Sequence, residues 1–592
     1  MTGRPLRRYC VVAILAVIAH RGSSAALHGA QDIYVINAKI WTNDPVRPTA
    51  GAMHIRDGAI VAVGNGIRPE PNGSDRKDLD KPVVVDAKGA RVVPGLIDAH
   101  LHLLGGGLQL SRLNLRDVPN RAAFIAAVAE RAKATPKGHW ITGGRWSTES
   151  WPDPSQPIKS WIDPATGEHP VLLSRMDGHG ALANSAALRI AGIDRKGPPD
   201  PPGGAIERDP VTGEPTGILK DTAIELVSKH VPRPSDAELD AALAAAQVEA
   251  HRHGITCVHT MSEYHELAPI DRARAAGTLS LRVRFYISED NWEDYLDKAN
   301  AHKADDMVRV RGFKQYADGS LGSRSAYMAK PFADNPHDNA GWRGLPRAVL
   351  GVAGQTGSTP GRVQTPLEQE CLGVSSIGLS LAVHAIGDQA NHLVLDTYER
   401  VQGAARHRQH SEERQSATRA LGSSRHRIEH AQHLLPADIG RFSRLGVVAS
   451  MQPYHKADDA RYAEKAIGPE RCKTSYAFRS LLDAGAPLAF GSDWPVVSLN
   501  PFLGIHAAVT GRSLDGKVFV PEQNITVEES LRAYTSGAAW AAGDENRLGK
   551  LAPGYTADFV LLEEDPLAIA AEDLESVRVT ATYVAGQCVW SR

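Results

Sequence analysis

Five times along this chain a run of apolar, β-prone residues stops on an imidazole, an amine or a carboxylate. The stops are His100-Leu101-His102 in VVPGLIDAHLHL, Lys314 in FKQYADGSLGSR, His384 in LAVHAIGD, His430 in RIEHAQ and Asp493 in FGSDWP. Runs this apolar suit strands buried on both faces, which are characteristic of parallel sheets covered by helices. Strand side chains alternate faces, so His100 and His102 point one way and Leu101 the other. Chemistry at the C-terminal ends of buried parallel strands is the arrangement of (β/α) barrels. Neutral imidazole and carboxylate are the ligands that zinc takes in sites that keep a position open for water. The expected class is therefore a metal-dependent hydrolase on an α/β fold.

The wider phrases carry a resemblance. PGLIDAHLH, SRMDGHGALANSAAL, FKQYADGSLGSRSA, VHAIGDQA, RIEHAQ, ASMQPYH, FGSDWPV, YTSGAAW and LGKLAPGYTADFVLL run in order from Val93 to Leu562. Together they resemble the amidohydrolase superfamily, and within it amidohydrolase family 3, the YtcJ-like branch that includes N-substituted formamide deformylases. The resemblance implies a metal-dependent (β/α)8 TIM-type barrel with a small β-sandwich. It implies His100, His102, Lys314, His384, His430 and Asp493 as metal ligands, with Asp493 also the catalytic acid and base. It further implies that Lys314 is carbamylated and bridges two metals, because a free ammonium has no acceptor for a cation. The alternative is an ordinary barrel lysine paired with Asp318, and then a single metal.

Length and texture set the domain expectation. At 592 residues the chain exceeds what one hydrophobic core usually serves. Residues 1–30 read as a signal peptide: Arg4, Arg7 and Arg8 precede an apolar stretch from Tyr9 to Ala19 that is too short for a membrane span. Export to the periplasm or outside the cell follows, with no stable membrane insertion once the leader is cleaved. Short alternating strands over 31–94 and again over 546–592 are expected to build the β-sandwich from both chain ends. The barrel takes 95–545, far beyond the ~250 residues typical of the fold, with an insertion over about 103–253. Val349–Glu370 and the polar stretch ending at Arg427 are expected to be surface loops.

Composition narrows the partners. A net charge of −2 with no long basic run excludes nucleic acid as an expected partner, leaving a small-molecule substrate. A homo-oligomer is compatible with the chain, whose sequence does not set its state. Cys257, Cys371, Cys472 and Cys588 are widely spaced and form no C-x-x-C pair, so neither a structural zinc module nor a dense disulfide framework is expected, and one disulfide stays open.

The chemistry follows from the ligand set. A bound divalent metal lowers the pKa of water from ~15.7 toward ~7, making it a nucleophile at neutral pH. Asp493 would take the proton and return it to a leaving nitrogen, since an amine leaves poorly unprotonated. His179 is the candidate donor to the substrate carbonyl, with Arg175, Asp177 and Asn184 shaping the same wall. Arg324 is expected to meet a polar substrate group, and Trp146 with Trp151 to form an aromatic lid. The metal is expected to be zinc, one or two ions, although manganese, iron and cobalt suit the same donors. The expected reaction is hydrolysis of a C–N bond in a linear amide, N-acyl or N-formyl compound. Two other readings stand beside it: a hydrolase of esters, lactones or cyclic amides, and an exported binding or regulatory protein that keeps the fold without the catalysis.

Overall fold

Leu96–Leu101 (β1) is buried at every position, and so is Ile255–Ser262 (β2), which pairs with it in parallel. Arg282–Ile287 (β3), Val308–Tyr316 (β4), Ser380–Ala385 (β5), Arg427–His430 (β6), Val448–Met451 (β7) and Leu488–Phe490 (β8) continue the sheet, each parallel to the last. The computed structural model describes residues 32–592 except 70–81, 117, 149–150, 154, 177–179, 202–203, 335–338, 352–364 and 408–423. The proposed leader lies outside the described residues. Among the described residues no helix is long and apolar enough to cross a membrane.

The eight strands curl until β8 meets β1, and the junction lies at the catalytic end. Ser492 N–H donates to Asp98 Oδ1 at 3.0 Å and Asp493 N–H to the His100 carbonyl at 2.6 Å. Gly491 permits this approach, since a Cβ there would sit 2.4 Å from His100 N. The barrel is thus an α/β, TIM-type fold in which strands alternate with helices such as Asp236–Arg252 and Asp388–His407. The first of these starts on a reciprocal cap between Ser235 and Glu238.

Between β1 and β2 the chain builds a separate six-stranded mixed sheet. Its strands are 113–114, 141–146, 171–175, 180–183, 204–208 and 215–221, and its own core holds Phe124, Ile141, Trp146, Trp161 and Leu173. Trp146 is 1% exposed, and its indole donates to the Leu173 carbonyl; Trp151 is buried beside Phe124. These two tryptophans are core residues, so the expected aromatic lid is not there. Asn184 is likewise structural: it is fully buried, caps helix Ser185–Ile190 and holds Thr166 and His169.

The two chain ends meet. Phe559–Leu562 runs antiparallel to Arg91–Pro94 in a six-stranded sheet, which packs with a four-stranded sheet of 32–36, 52–56, 59–64 and 83–86 around Val35, Met53, Ile55, Val92 and Phe559. The expectation of a loop over Val349–Glu370 needs correction: helix Pro366–Ser376 starts inside it, with proline in the first turn and Thr365 and Glu368 capping one another. T-P-L-E was the signal, a capping box with a proline ideally placed. The polar stretch before Arg427 lies largely outside the described residues. All four described cysteines are free.

The floor of the barrel is closed by charge. Arg282 on β3 forms a two-pronged pair with Asp558, at 2.7 and 3.0 Å, and both side chains are buried. Arg284 pairs through Nε with buried Asp544, while its other nitrogens donate to the carbonyls of Val283, Asp306 and Met307. Removing one partner leaves the other charge stranded in a poor solvent, which costs more than the pair itself contributes. Asp558→Ala should therefore destabilise the protein by about 3–5 kcal/mol, read as a lower denaturant midpoint. A midpoint equal to that of the unchanged protein would show that Arg282 finds another partner.

Candidate metal centre

At the C-terminal rim, β1 delivers His100 with His102 directly after it, β4 Lys314, β5 His384 and β6 His430, while Asp493 follows β8. His100 Nε2 lies 3.5 Å and His102 Nε2 3.2 Å from the same oxygen, Asp493 Oδ1. Donor atoms of His100, His430 and Asp493 all lie within 4.8 Å of one another. The His384 and His430 ring centroids are 4.5 Å apart, and those of His100 and His430 4.9 Å. Leu101 points into the hydrophobic core, as strand alternation requires.

Backbone conformation aims two of these side chains. His430 and Asp493 both have left-handed backbone, φ 74° and 62°, where residues other than glycine are uncommon. Such strain persists where surrounding contacts over-determine it. Here the contacts are visible: Asp493 N–H is held by the His100 carbonyl, and His102 N–H donates to the carbonyl of Trp494 at 2.8 Å. Gly106 makes room for the Trp494 ring, since a Cβ would meet it at 2.1 Å.

Each imidazole is oriented from behind. His100 Nδ1 is hydrogen-bonded to Glu429, His102 Nδ1 to the Met261 carbonyl at 2.8 Å and His430 Nδ1 to Gln452 Oε1 at 2.7 Å. With Nδ1 carrying the proton, Nε2 of each is left as an acceptor facing the rim, the tautomer a metal needs. His100 Nε2 is buried and has no hydrogen-bond partner. An orphaned acceptor among other acceptors fits a divalent cation and little else. His384 differs, because its Nε2 contacts the Gly319 carbonyl at 3.1 Å.

Electrostatics sharpen these roles. Burial works against the charged form of Asp493, but its contacts with the His100 and His102 imidazoles outweigh it and hold the carboxyl well below the usual range. Burial pushes His384 down to about 3 and His430 well below an ordinary imidazole, so both are neutral. Lys314, 2% exposed, is lowered by burial to about 8. It lies over the Tyr316 ring, Nζ 4.9 Å from the centroid, and borders a cavity of about 180 Å³ whose wall includes Glu263, Glu289 and Asp290.

Other expected residues fall elsewhere. Lys314 is not paired with Asp318: that carboxylate accepts backbone N–H groups of Ile386, Gly387 and Tyr327 and fastens the turn after β5. Arg324 is held in a pair with Asp334, its Nη2 and Nε donating to Oδ2 at 2.6 and 2.9 Å. Arg175 ends strand 171–175 in the inserted sheet, in register with Trp146. Asp177 and His179 lie outside the described residues.

Residues that sequence reasoning did not single out complete the centre: Asp98, Arg427, Glu429, Gln452 and His455. Arg427 and Glu429 share one face of a strand buried throughout, and two charges so placed must pair or be paired, which was a readable signal. Glu429→Gln should weaken metal binding about 10–100-fold, the usual effect of losing an orienting carboxylate behind a ligand. Chelator competition measures it. Unchanged affinity would mean that Glu429 does not orient His100.

Comparisons with known proteins give a consistent result. An amidohydrolase family profile matches residues 83–590. Protein LONG AFTER FAR-RED 3 of Arabidopsis thaliana is 37% identical over 94% of this chain and 91% of its own length. Putative amidohydrolase YtcJ of Bacillus subtilis is 32% identical, covering 91% and 96%. N-substituted formamide deformylase of Arthrobacter pascens is 25% identical over 95% and 99%. Among solved structures, an uncharacterized metal-dependent hydrolase from Pyrococcus horikoshii superposes with a TM-score of 0.72 at 24% identity, covering 91% of this chain and 99% of that one.

Proposed function

This chain belongs to the amidohydrolase family, and from that membership we propose that it hydrolyses the C–N bond of a linear amide, N-acyl or N-formyl compound. The observation that carries the reading is the Asp493 carboxylate, buried, ionised and faced by the Nε2 atoms of two oriented histidines. A relative that spans nearly the same length is named an N-substituted formamide deformylase, which favours amides over esters.

His100, His430 and Asp493 would hold a divalent metal, with His102 and His384 at its margins; when bound it supplies positive charge that polarises a carbonyl and acidifies water. Zinc fits imidazole and carboxylate donors, and manganese, iron or cobalt fit them as well. Asp493 accepts the proton of the attacking water at a carboxylate oxygen and delivers it to the departing nitrogen, which then leaves as a neutral amine. His102 lies against Asp493 Oδ1 and keeps that oxygen aimed at the rim. Lys314, with its amine lowered by burial, is the residue proposed to be carbamylated, and the resulting carboxylate would admit a second ion.

Two measurements test this. Asp493→Asn should cut turnover of a formamide or N-acyl substrate about 10²–10⁴-fold, the range for loss of a general acid and base, with release of free amine followed by chromatography. Free alcohol from an ester panel with no amine from amides would favour the ester reading instead. Metal per chain, counted by plasma mass spectrometry after purification with bicarbonate, should be two for the unchanged protein and one for Lys314→Ala. An equal count in both would reduce Lys314 to packing.

A further inference from the structure

Behind the candidate ligands stands a histidine that none of the foregoing roles uses. His455 sits in the first turn of Pro453–Asp459, directly after β7, and is 9% exposed. Its Nδ1 accepts a hydrogen bond from the side-chain amide of buried Gln432 at 3.3 Å. With the Gln432 amide in this orientation, the imidazole proton lies on Nε2. Nε2 is buried, has no hydrogen-bond partner and points at Asp493, 3.7 Å from Oδ2. The gap is too long for a hydrogen bond.

Three features separate His455 from the ligands. Its Nε2 bears the proton, whereas Nε2 of His100, His102 and His430 is the acceptor left free by a bonded Nδ1. It lies outside the group His100, His430 and Asp493 whose donor atoms converge. It packs flat against His430, rings 6.0 Å apart and within 10° of parallel, which fixes the direction of its N–H. A buried donor without a partner costs about 1–3 kcal/mol. Such a donor, preset and aimed beside the carboxylate that handles the proton, fits an oxygen that arrives with the substrate.

We propose that His455 is a catalytic residue that donates a hydrogen bond from Nε2–H to the substrate carbonyl oxygen. The proposal rests on the C–N hydrolase reading above. As water oxygen bonds to the carbonyl carbon, the C=O π pair moves onto oxygen, and His455 stabilises that charge without giving up its proton. When the C=O bond re-forms, the C–N bond breaks and the nitrogen leaves with the proton from Asp493. His455 thereby takes the role that the sequence suggested for His179.

The experiment compares the unchanged protein with His455→Phe and His455→Gln on 4-nitroformanilide and on p-nitrophenyl acetate, with metal content measured for each. His455→Phe should keep its metal and lose about 100–1000-fold in kcat, the effect of deleting one donor to a developing oxyanion, while KM changes little. His455→Gln, which retains an N–H, should recover at least about tenfold of that loss. A His455→Phe protein with kcat within threefold of the unchanged enzyme overturns the proposal, as does one that loses its metal along with its activity. If the unchanged protein cleaves the ester but not the anilide, the C–N reading fails, and the ester rates alone decide for or against His455.

Discussion

Everything at the rim depends on one buried guanidinium. Arg427 on β6 has no exposed surface, and it bonds Glu429, the Ala99 carbonyl, Ser450 Oγ, His259 and Tyr286. These partners come from β1, β2, β3, β6 and β7, so a single side chain ties five of the eight strands across the barrel interior. Arg427 also decides the state of Glu429: burial opposes its charge, but Arg427 and His100 outweigh that and keep it ionised. A charged Glu429 fixes the His100 proton on Nδ1. The orphaned Nε2 at the rim is the last link of that chain.

Strain and closeness are concentrated where β8 returns to β1. Gly491 lets the backbone touch, Asp98 receives two N–H groups from opposite sides of the seam, and Asp493 turns through left-handed backbone to face the histidines. Closing the barrel and placing the acid are therefore one event. From outside, Arg145 of the inserted domain reaches the carbonyls of Pro495 and Val496, tethering the same segment. A domain remote in sequence thus bears on the position of Asp493.

What the sequence made legible follows the strength of its periodic and apolar signals. Strands such as LIDAHL and ITCVHTMS are buried throughout and read directly as barrel strands, and the ends of five of the eight strands gave the six rim residues. The failures share a cause. Arg324 and Trp146 are chemically suggestive residue types, but whether Arg324 meets a ligand or Asp334, and whether Trp146 is lid or core, depends on partners far off in the fold. Helix Pro366–Ser376 was missed because the Gly- and Thr-rich run before it hid its cap. Arg427, Glu429 and His455 were within motifs already singled out, yet the partners that give them a part at the rim appear only when side chains from different elements meet.

The central claim is that the rim forms a metal site built on the His100–Glu429–Arg427 chain. Anomalous diffraction from crystals of the metal-loaded protein, recorded at the absorption edge of the bound element, tests it most directly. The account predicts a peak within coordination distance of His100 Nε2, His430 and Asp493. A peak elsewhere, or none at the rim in crystals that contain the metal, would contradict it.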